Sequence, residues 1–284
     1  MGHWRGELVA TWCQKEGVTR LASAYVTTPW QLQRPFYPEG PEWCHTVTLQ
    51  LGGGMVGGDE LVCRGHLQAG AKLLLTTATA NKVYRSLSPQ LPQVSSSHWQ
   101  VESQAILELF PQETILFAQA HWQQTLVIEL HPRAWCCGWE MYRFGRTARG
   151  ERFWGGTWRN ATEIWCQGQP LWIDRQFLQG TPEFLDSPNG LAGQPVLGTF
   201  WLVGQEVSPE LIERLRAALP PGTGEMGLTR LMGGLVGRYR GPSTAECRRW
   251  FLTLWHLLRP LYAQRPPCLP RVWQLEQEVA LGHG

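Results

Sequence analysis

From the N-terminus to about residue 205 the chain keeps a hydrophobic period of two, and that rhythm restricts it to folds built from half-buried strands. In His45 to Leu51, His45, Val47, Leu49 and Leu51 share one face, while Thr46, Thr48 and Gln50 share the other. Lys72 to Thr77 and Thr125 to Leu130 read the same way. Thr162 to Phe177 reads as two strands folded over by Gln167-Gly168-Gln169-Pro170. The 31 glycines and 20 prolines punctuate the chain often enough to predict many short strands. The fold class expected is mainly β, with multi-stranded layered β-sheets forming a single β-body over residues 1–205.

The last third changes period. Ser208-Pro209 supplies an N-cap and an N1 proline ahead of Leu211, Ile212, Leu215, Ala218 and Leu219, which fall on one helical face, and Pro220-Pro221 stops that helix. Ser243-Thr244-Ala245-Glu246 spells a capping box. It opens a second helix whose Trp250, Phe251, Leu254, Trp255, Leu258, Leu261 and Tyr262 form a stripe, with Pro260 ending or kinking it. Two readings of the stripe stand: it packs on the β-body, or part of it docks a partner protein through Trp250, Trp255 and Arg259. Without a repeat or a low-complexity linker, residues 1–284 are expected to form one domain, with 206–284 as its helix-containing C-terminal region.

Composition excludes several classes of function. The net charge is +2, from 25 basic and 23 acidic residues, and charged residues are only 17% of the chain. Ordinary globular domains carry roughly 25%. No basic excess recruits nucleic acid, and no apolar stretch is long enough to span a membrane. Acidic and polar residues interrupt Met1 to Gly17 where a secretory signal needs a continuous apolar run, so the chain is expected to be cytoplasmic. Its eight cysteines are then reduced core thiols. The 16 tryptophans fit an aromatic β-core or a sugar-stacking surface. The second keeps open an alternative function, a tryptophan-rich β-sandwich that binds carbohydrate or acts as a glycosidase, which needs paired carboxylates across a cleft.

Catalytic motifs are missing. Gly52-Gly53-Gly54-Met55-Val56-Gly57 matches the spelling of a dinucleotide fingerprint, but strand-like sequence follows it, and residues 61–101 contain no Asp or Glu for a ribose. Neither a phosphate-binding loop ending in Gly-Lys-Ser/Thr nor a Gly-x-Ser-x-Gly elbow is present. No two histidines stand three or four apart, no Cys-x-x-Cys occurs, and adjacent Cys136 and Cys137 point to opposite faces of a strand. No stably bound metal is expected. Asn160-Ala161-Thr162 is a glycosylation sequon in spelling alone.

An ordered series of segments carries the strongest signal. It runs through Gln33-Arg34-Pro35-Phe36-Tyr37-Pro38-Glu39-Gly40 with Cys44-His45, then Gly53-Gly54-Met55-Val56-Gly57-Gly58-Asp59, Leu75-Thr76-Thr77 with Lys82-Val83-Tyr84-Arg85-Ser86, and Pro111 to Phe117. It continues with Gly138-Trp139-Glu140, Gly145-Arg146, Gly150-Glu151-Arg152-Phe153, Leu171-Trp172-Ile173-Asp174-Arg175, Trp255 with Leu258-Arg259-Pro260, and Pro270-Arg271-Val272-Trp273. Over nearly its whole length the chain resembles the urease accessory protein UreD (UreH) family. It departs from the family pattern at Gln50, where a histidine is common, and at Ala78-Thr79-Ala80, where Gln-Ala-Ala is common. The resemblance implies a non-enzymatic urease maturation factor. Such a scaffold or chaperone bridges the urease apoprotein and the accessory protein UreF, which recruits the GTPase UreG, and helps deliver nickel to the urease active site through a hydrated tunnel. No tightly bound cofactor is implied, only transient Ni²⁺.

Electrostatics says what such a route requires. Moving one unit charge into a dry interior costs on the order of 20 kcal/mol, and a divalent ion about four times that. The passage must be wet and lined by weak oxygen ligands, because imidazole and thiolate clusters hold nickel too tightly for transit. Asp59 is the first tunnel candidate, followed by Glu140 and Asp174, with Thr76, Thr77 and Tyr84 offering hydroxyls. The structural alternative pairs each acid with a neighbouring arginine, Glu140 with Arg146 in particular, and packs the hydroxyls within strands. Lys82 and Arg85 repel cations and are assigned to salt bridges or to a urease-facing surface.

Overall fold

A computed structural model describes residues 3–273, so residues 274–284 of the expected C-terminal region lie outside the described residues. In chain order the strands are β1 (Arg5–Lys15), β2 (Val18–Val26), β3 (Trp30–Leu32), β4 (Trp43–Gln50), β5 (Glu60–Leu67), β6 (Lys72–Thr77), β7 (Asn81–Val83), β8 (Gln93–Val101) and β9 (Ile106–Phe110). They continue as β10 (Thr114–Leu116), β11 (His121–Leu130), β12 (Trp135–Phe144), β13 (Thr157–Cys166), β14 (Gln169–Gln179), β15 (Val196–Val203), β16 (Glu225–Leu231) and β17 (Gly234–Gly241). The helices are α1 (Pro182–Leu185), α2 (Pro209–Ala218) and α3 (Thr244–Ala263).

Two sheets stack face to face. Sheet A has the order β14-β13-β11-β8-β5-β1-β2, and sheet B runs β16-β17-β15-β12-β9-β6-β4-β3, with β10 and β7 added beside β12. From β4 to β13 the main strands visit the sheets alternately, and successive visits pair in parallel: β1, β5, β8, β11 and β13 in one sheet, β4, β6, β9 and β12 in the other. Antiparallel hairpins close the edges, as in β13–β14, where Gln167 and Gly168 both take positive φ. That is the backbone a two-residue hairpin turn needs, and the glycine supplies half of it without strain.

Burial explains why one sheet alternates and the other does not. Strands β1, β11 and β13 bury every second residue, so sheet A keeps a solvent face. Strands β4, β9 and β12 are buried nearly throughout. Sheet B is covered on one side by sheet A and on the other by α2 and α3. Leu8, Trp12, Trp99, Ile128 and Trp201 fill the space between the sheets, Trp139, Phe200, Phe251, Leu254 and Trp255 fill the space under the helices, and Met55, Trp122, Phe144 and Trp158 belong to a third cluster. Only Trp4 and Trp154 of the sixteen tryptophans are exposed, so the sugar-stacking surface loses its premise. All eight cysteines are free. Burial pushes the Cys63 and Cys136 thiols up to about 12, out of reach of metal chemistry at neutral pH.

Both expected helices are present. The Ser208 hydroxyl accepts from the Leu211 amide, and the Ser243 hydroxyl accepts from the Glu246 amide. The capping box of α3 is half made, because the Glu246 carboxylate accepts instead from the Thr223 and Gly224 amides and from Tyr239 Oη. Pro260 does not end α3, which continues to Ala263 and stops at Gln264 in left-handed geometry. Strands β16 and β17 lie beyond residue 205 and extend sheet B, so the β-body outlasts its expected limit.

The face of α3 expected to dock a partner is an internal one. Trp250, Trp255 and Arg259 are buried. The Arg259 guanidinium donates to Glu39 and Glu108 and lies 4.3 Å over the Trp43 ring. Trp255 Nε1 and Tyr262 Oη also donate to Glu108. A charge this deep requires fixed partners of its own, which takes all three residues out of reach of another protein.

Candidate functional site

The inter-sheet space is not filled throughout. A cavity of about 570 Å³ runs between the sheets, walled by Thr48, Thr76 and Thr77 from sheet B and by Ser95, Ser97 and Gln124 from sheet A. Its indole lining includes Trp30, Trp99, Trp122 and Trp201. Exposed Leu51, Gly53, Thr79 and Lys82 stand on the same wall and mark where it meets solvent. Four atoms of wall residues, Trp30 Nε1, Asn81 Oδ1, Trp122 Nε1 and Trp201 Nε1, are buried without a hydrogen-bond partner among the described residues. Polar atoms of that kind are normally satisfied by water, so the cavity suits a hydrated interior.

Glu140 is the acidic residue of this wall. On β12, Cys137, Trp139 and Met141 turn toward the helices, and the alternation sends Glu140 and Tyr142 into the inter-sheet space. Its carboxylate is gripped from the opposite sheet: Gln124 Nε2 donates to one oxygen, and Asn160 Nδ2 (2.8 Å) and Thr162 Oγ1 (3.3 Å) donate to the other. Tyr142 Oη donates to Asn160 Oδ1 at 3.0 Å and fixes that amide. Burial is the largest influence and raises the Glu140 pKa to about 7; Asn160, Thr162 and Gln124 oppose it, and Asp174 adds to it. A carboxyl balanced between its two forms at neutral pH, held only by neutral donors, is what weak cation exchange calls for.

Asp174 lies next to this group without lining the cavity. It is opposite Thr162 in the β13–β14 register and pairs with Arg238 of sheet B at 2.7 Å, while Gln176 donates to its second oxygen. Arg238 also donates to Thr199 Oγ1 at 2.7 Å. The arginine beside Asp174 is thus Arg238, and its sequence neighbour Arg175 turns to Glu163. Asp59 stands elsewhere. It accepts the Val56 amide at 2.8 Å and the Trp4 amide at 3.1 Å, tying the glycine loop to the N-terminal strand.

The remaining sequence candidates divide. Thr76 and Thr77 line the cavity; Thr76 also donates to the Phe110 carbonyl at 2.6 Å and accepts from Trp273 Nε1 at 3.1 Å. Tyr84 does not line it, its hydroxyl donating to the Gly53 carbonyl at 3.1 Å and its ring meeting Phe117 edge-on. The alternative pairing of Arg146 with Glu140 is corrected: Arg146 binds Glu151 and lies over Phe117, while Glu140 faces Gln124, Asn160 and Thr162 across the inter-sheet space. Lys82 and Arg85 are exposed, and neither forms a salt bridge among the described residues. Gln124, Asn160 and Thr162 were missed. Their signal was present as polar residues in phase with Trp122, Leu126, Trp158 and Ile164 on inward strand faces. Asn160 and Thr162 of the sequon are buried, which puts them beyond any glycan.

Among the described residues, no group of three or more His, Cys, Asp or Glu side chains is placed to hold a metal ion, and no helix is long and apolar enough to cross a membrane. The family model described as UreD urease accessory protein matches residues 5–274. The chain is 51% identical over 277 residues to the urease accessory protein UreD of Acaryochloris marina, covering 97% of each. It is 49% identical to the proteins of the same name from Nostoc punctiforme (96% of each chain) and Thermosynechococcus vestitus (96% of this chain, 99% of that one).

Proposed function

The chain belongs to the UreD urease accessory protein family, and on that premise we propose that it is a non-catalytic cytoplasmic scaffold of urease maturation. It holds the urease apoprotein and UreF together, with UreG joined through UreF, and Ni²⁺ crosses it as cargo through the inter-sheet cavity. The observation that carries this reading is Glu140: a buried carboxyl on a cavity wall, facing neutral donors and no cation. Hydroxyls of Thr48, Thr77, Ser95 and Ser97 continue the oxygen lining, while the Thr76 hydroxyl is held by the Phe110 carbonyl and Trp273. A divalent ion keeps most of its water in such a passage and exchanges single ligands, which leaves each site weak enough to leave. Asp174, neutralised by Arg238, adds field without a free ligand.

The test is co-expression with UreF, UreG and urease, followed by urease pull-down and measurement of nickel in the recovered enzyme. Glu140→Gln is expected to reduce nickel content several-fold while the accessory complex still assembles. Full nickel loading in Glu140→Gln would remove the cavity from the route.

A further inference from the structure

The walls of the inter-sheet cavity hold more than a cation route uses. Carboxyl, amide and hydroxyl oxygens serve a passing ion, but Trp30, Leu49, Leu61, Leu75, Trp99 and Leu126 stand on the same walls and offer it nothing. Water held against such side chains is poorly ordered, and an apolar guest that displaces it gains affinity. The volume, about 570 Å³, falls among those of pockets that enclose small organic molecules.

Two polar atoms at the open end are unsatisfied. Trp30 Nε1 is a donor and Asn81 Oδ1 an acceptor, and neither has a hydrogen-bond partner among the described residues. They come from separate strands of sheet B, β3 and β7. Trp30 pairs with Gln50, next to exposed Leu51, and exposed Lys82 follows Asn81, so both stand near the opening. Trp122 and Trp201 also have free indole N–H groups, but at 1% and 0% exposure they are sealed in. A buried polar atom without a partner costs free energy, which a ligand supplying that partner recovers. The leucine and indole surfaces penalise any full charge on such a ligand.

We propose that the cavity binds an uncharged aromatic compound, its rings against the indoles and leucines, with an acceptor for Trp30 Nε1 and a separate donor for Asn81 Oδ1, and that this ligand closes the passage. Its rings replace loosely held water, and its two polar ends satisfy the atoms at the opening. The binding site stands on the cavity alone; closure rests on the reading of the cavity as the nickel route.

The experiment uses the full chain co-produced with UreF, and two probes: meta-hydroxybenzophenone, which has a ketone acceptor and a phenol donor, and benzophenone, which lacks the donor. Ligand-observed NMR titration is expected to give meta-hydroxybenzophenone a Kd of about 0.1–1 mM, modest for a compound of its size. Trp30→Phe and Asn81→Ala should each weaken it about tenfold with unchanged circular dichroism. Benzophenone should bind wild type about tenfold less tightly and be insensitive to Asn81→Ala. With meta-hydroxybenzophenone at saturation, nickel recovered in co-purified urease should fall several-fold. No binding, or equal binding to wild type and both variants, overturns the site; nickel loading that still depends on Glu140 then leaves the scaffold reading standing. Binding that both variants weaken, without loss of nickel, upholds the site but overturns closure and counts against the cavity as the route.

Discussion

Replacing Glu140 with glutamine should make this protein more stable at alkaline pH while making it worse at its task. Burial lifts the Glu140 carboxyl from 4.5 to about 7. An acid whose folded pKa is raised keeps its proton in the folded state while the unfolded chain has released it. Stability is therefore lost as pH climbs from about 4.5 to 7, and the loss is complete above that. A displacement of about 2.5 units is worth about 3 kcal/mol, at 1.36 kcal/mol per unit, an order-of-magnitude figure for a fully buried group. Glutamine removes that penalty but offers one acceptor oxygen to Gln124, Asn160 and Thr162 in place of two, which returns about 1 kcal/mol. The variant is expected to exceed wild type by about 2 kcal/mol at pH 8 and to lose that advantage at pH 5. Urea unfolding followed by tryptophan fluorescence at intervals from pH 5 to 8 measures the difference directly. A difference that stays flat across this range, or grows toward acid, refutes the reasoning. A gain in stability accompanied by loss of urease activation identifies a charge kept for its use and not for the fold.

Three further outcomes are expected. Arg259→Met leaves Glu108 buried with only the neutral donors of Trp255 and Tyr262 and leaves Glu39 with His45 alone, and should cost about 3–5 kcal/mol, read as a lowered urea midpoint; a change under about 1 kcal/mol would show that the network contributes little. Asp59→Ala leaves the Val56 and Trp4 amides without their acceptor and should cost about 1–3 kcal/mol, read as a lowered urea midpoint; an unchanged midpoint would show that Asp59 does not tie the glycine loop to the N-terminal strand. Gly54 has φ +142°, and a Cβ there would lie 2.5 Å from the Tyr84 ring and 2.7 Å from the Lys82 carbonyl. Gly54→Ala should accordingly cost about 1–3 kcal/mol in thermal unfolding, and an unchanged midpoint would mean that the loop relaxes freely.

Much of the fold was legible because a period of two is a local property. The strand at His45 to Leu51 and the turn at Gln167-Gly168 depend on neighbours in sequence, and both lie where the spacing puts them, although β4 is buried on both faces where the alternation predicted one. The stacking of one sheet on the other is not local. Nothing near Glu140 in the chain announces Gln124 or Asn160 as its partners, since they arrive from strands 16 and 20 residues away across the sandwich. Arg146, six positions on, was the nearer guess, but in a strand such proximity carries little weight. The same reasoning explains Trp250 and Trp255. Helical spacing marked them as one stripe, yet a stripe does not say whether its cover is the chain's own sheet or another molecule. Strands β16 and β17 escaped notice because Gly227, Gly234 and Gly237 break up the pattern that the sheet then tolerates on burial.

The alternate winding of strands between the sheets bears on how such a protein is made. A ribosome delivering this chain completes neither layer first: β9 waits for β12, and β8 waits for β11. Until β13 and β15 emerge, β11 and β12 present open edges with unpaired amides, and sheet B lacks its helical cover until α2 and α3 follow. Assembly is governed by distant pairings, which are slow and prone to self-association. Overproduction by itself should yield inclusion bodies, and slower translation or lower temperature should recover more native material than any single surface substitution.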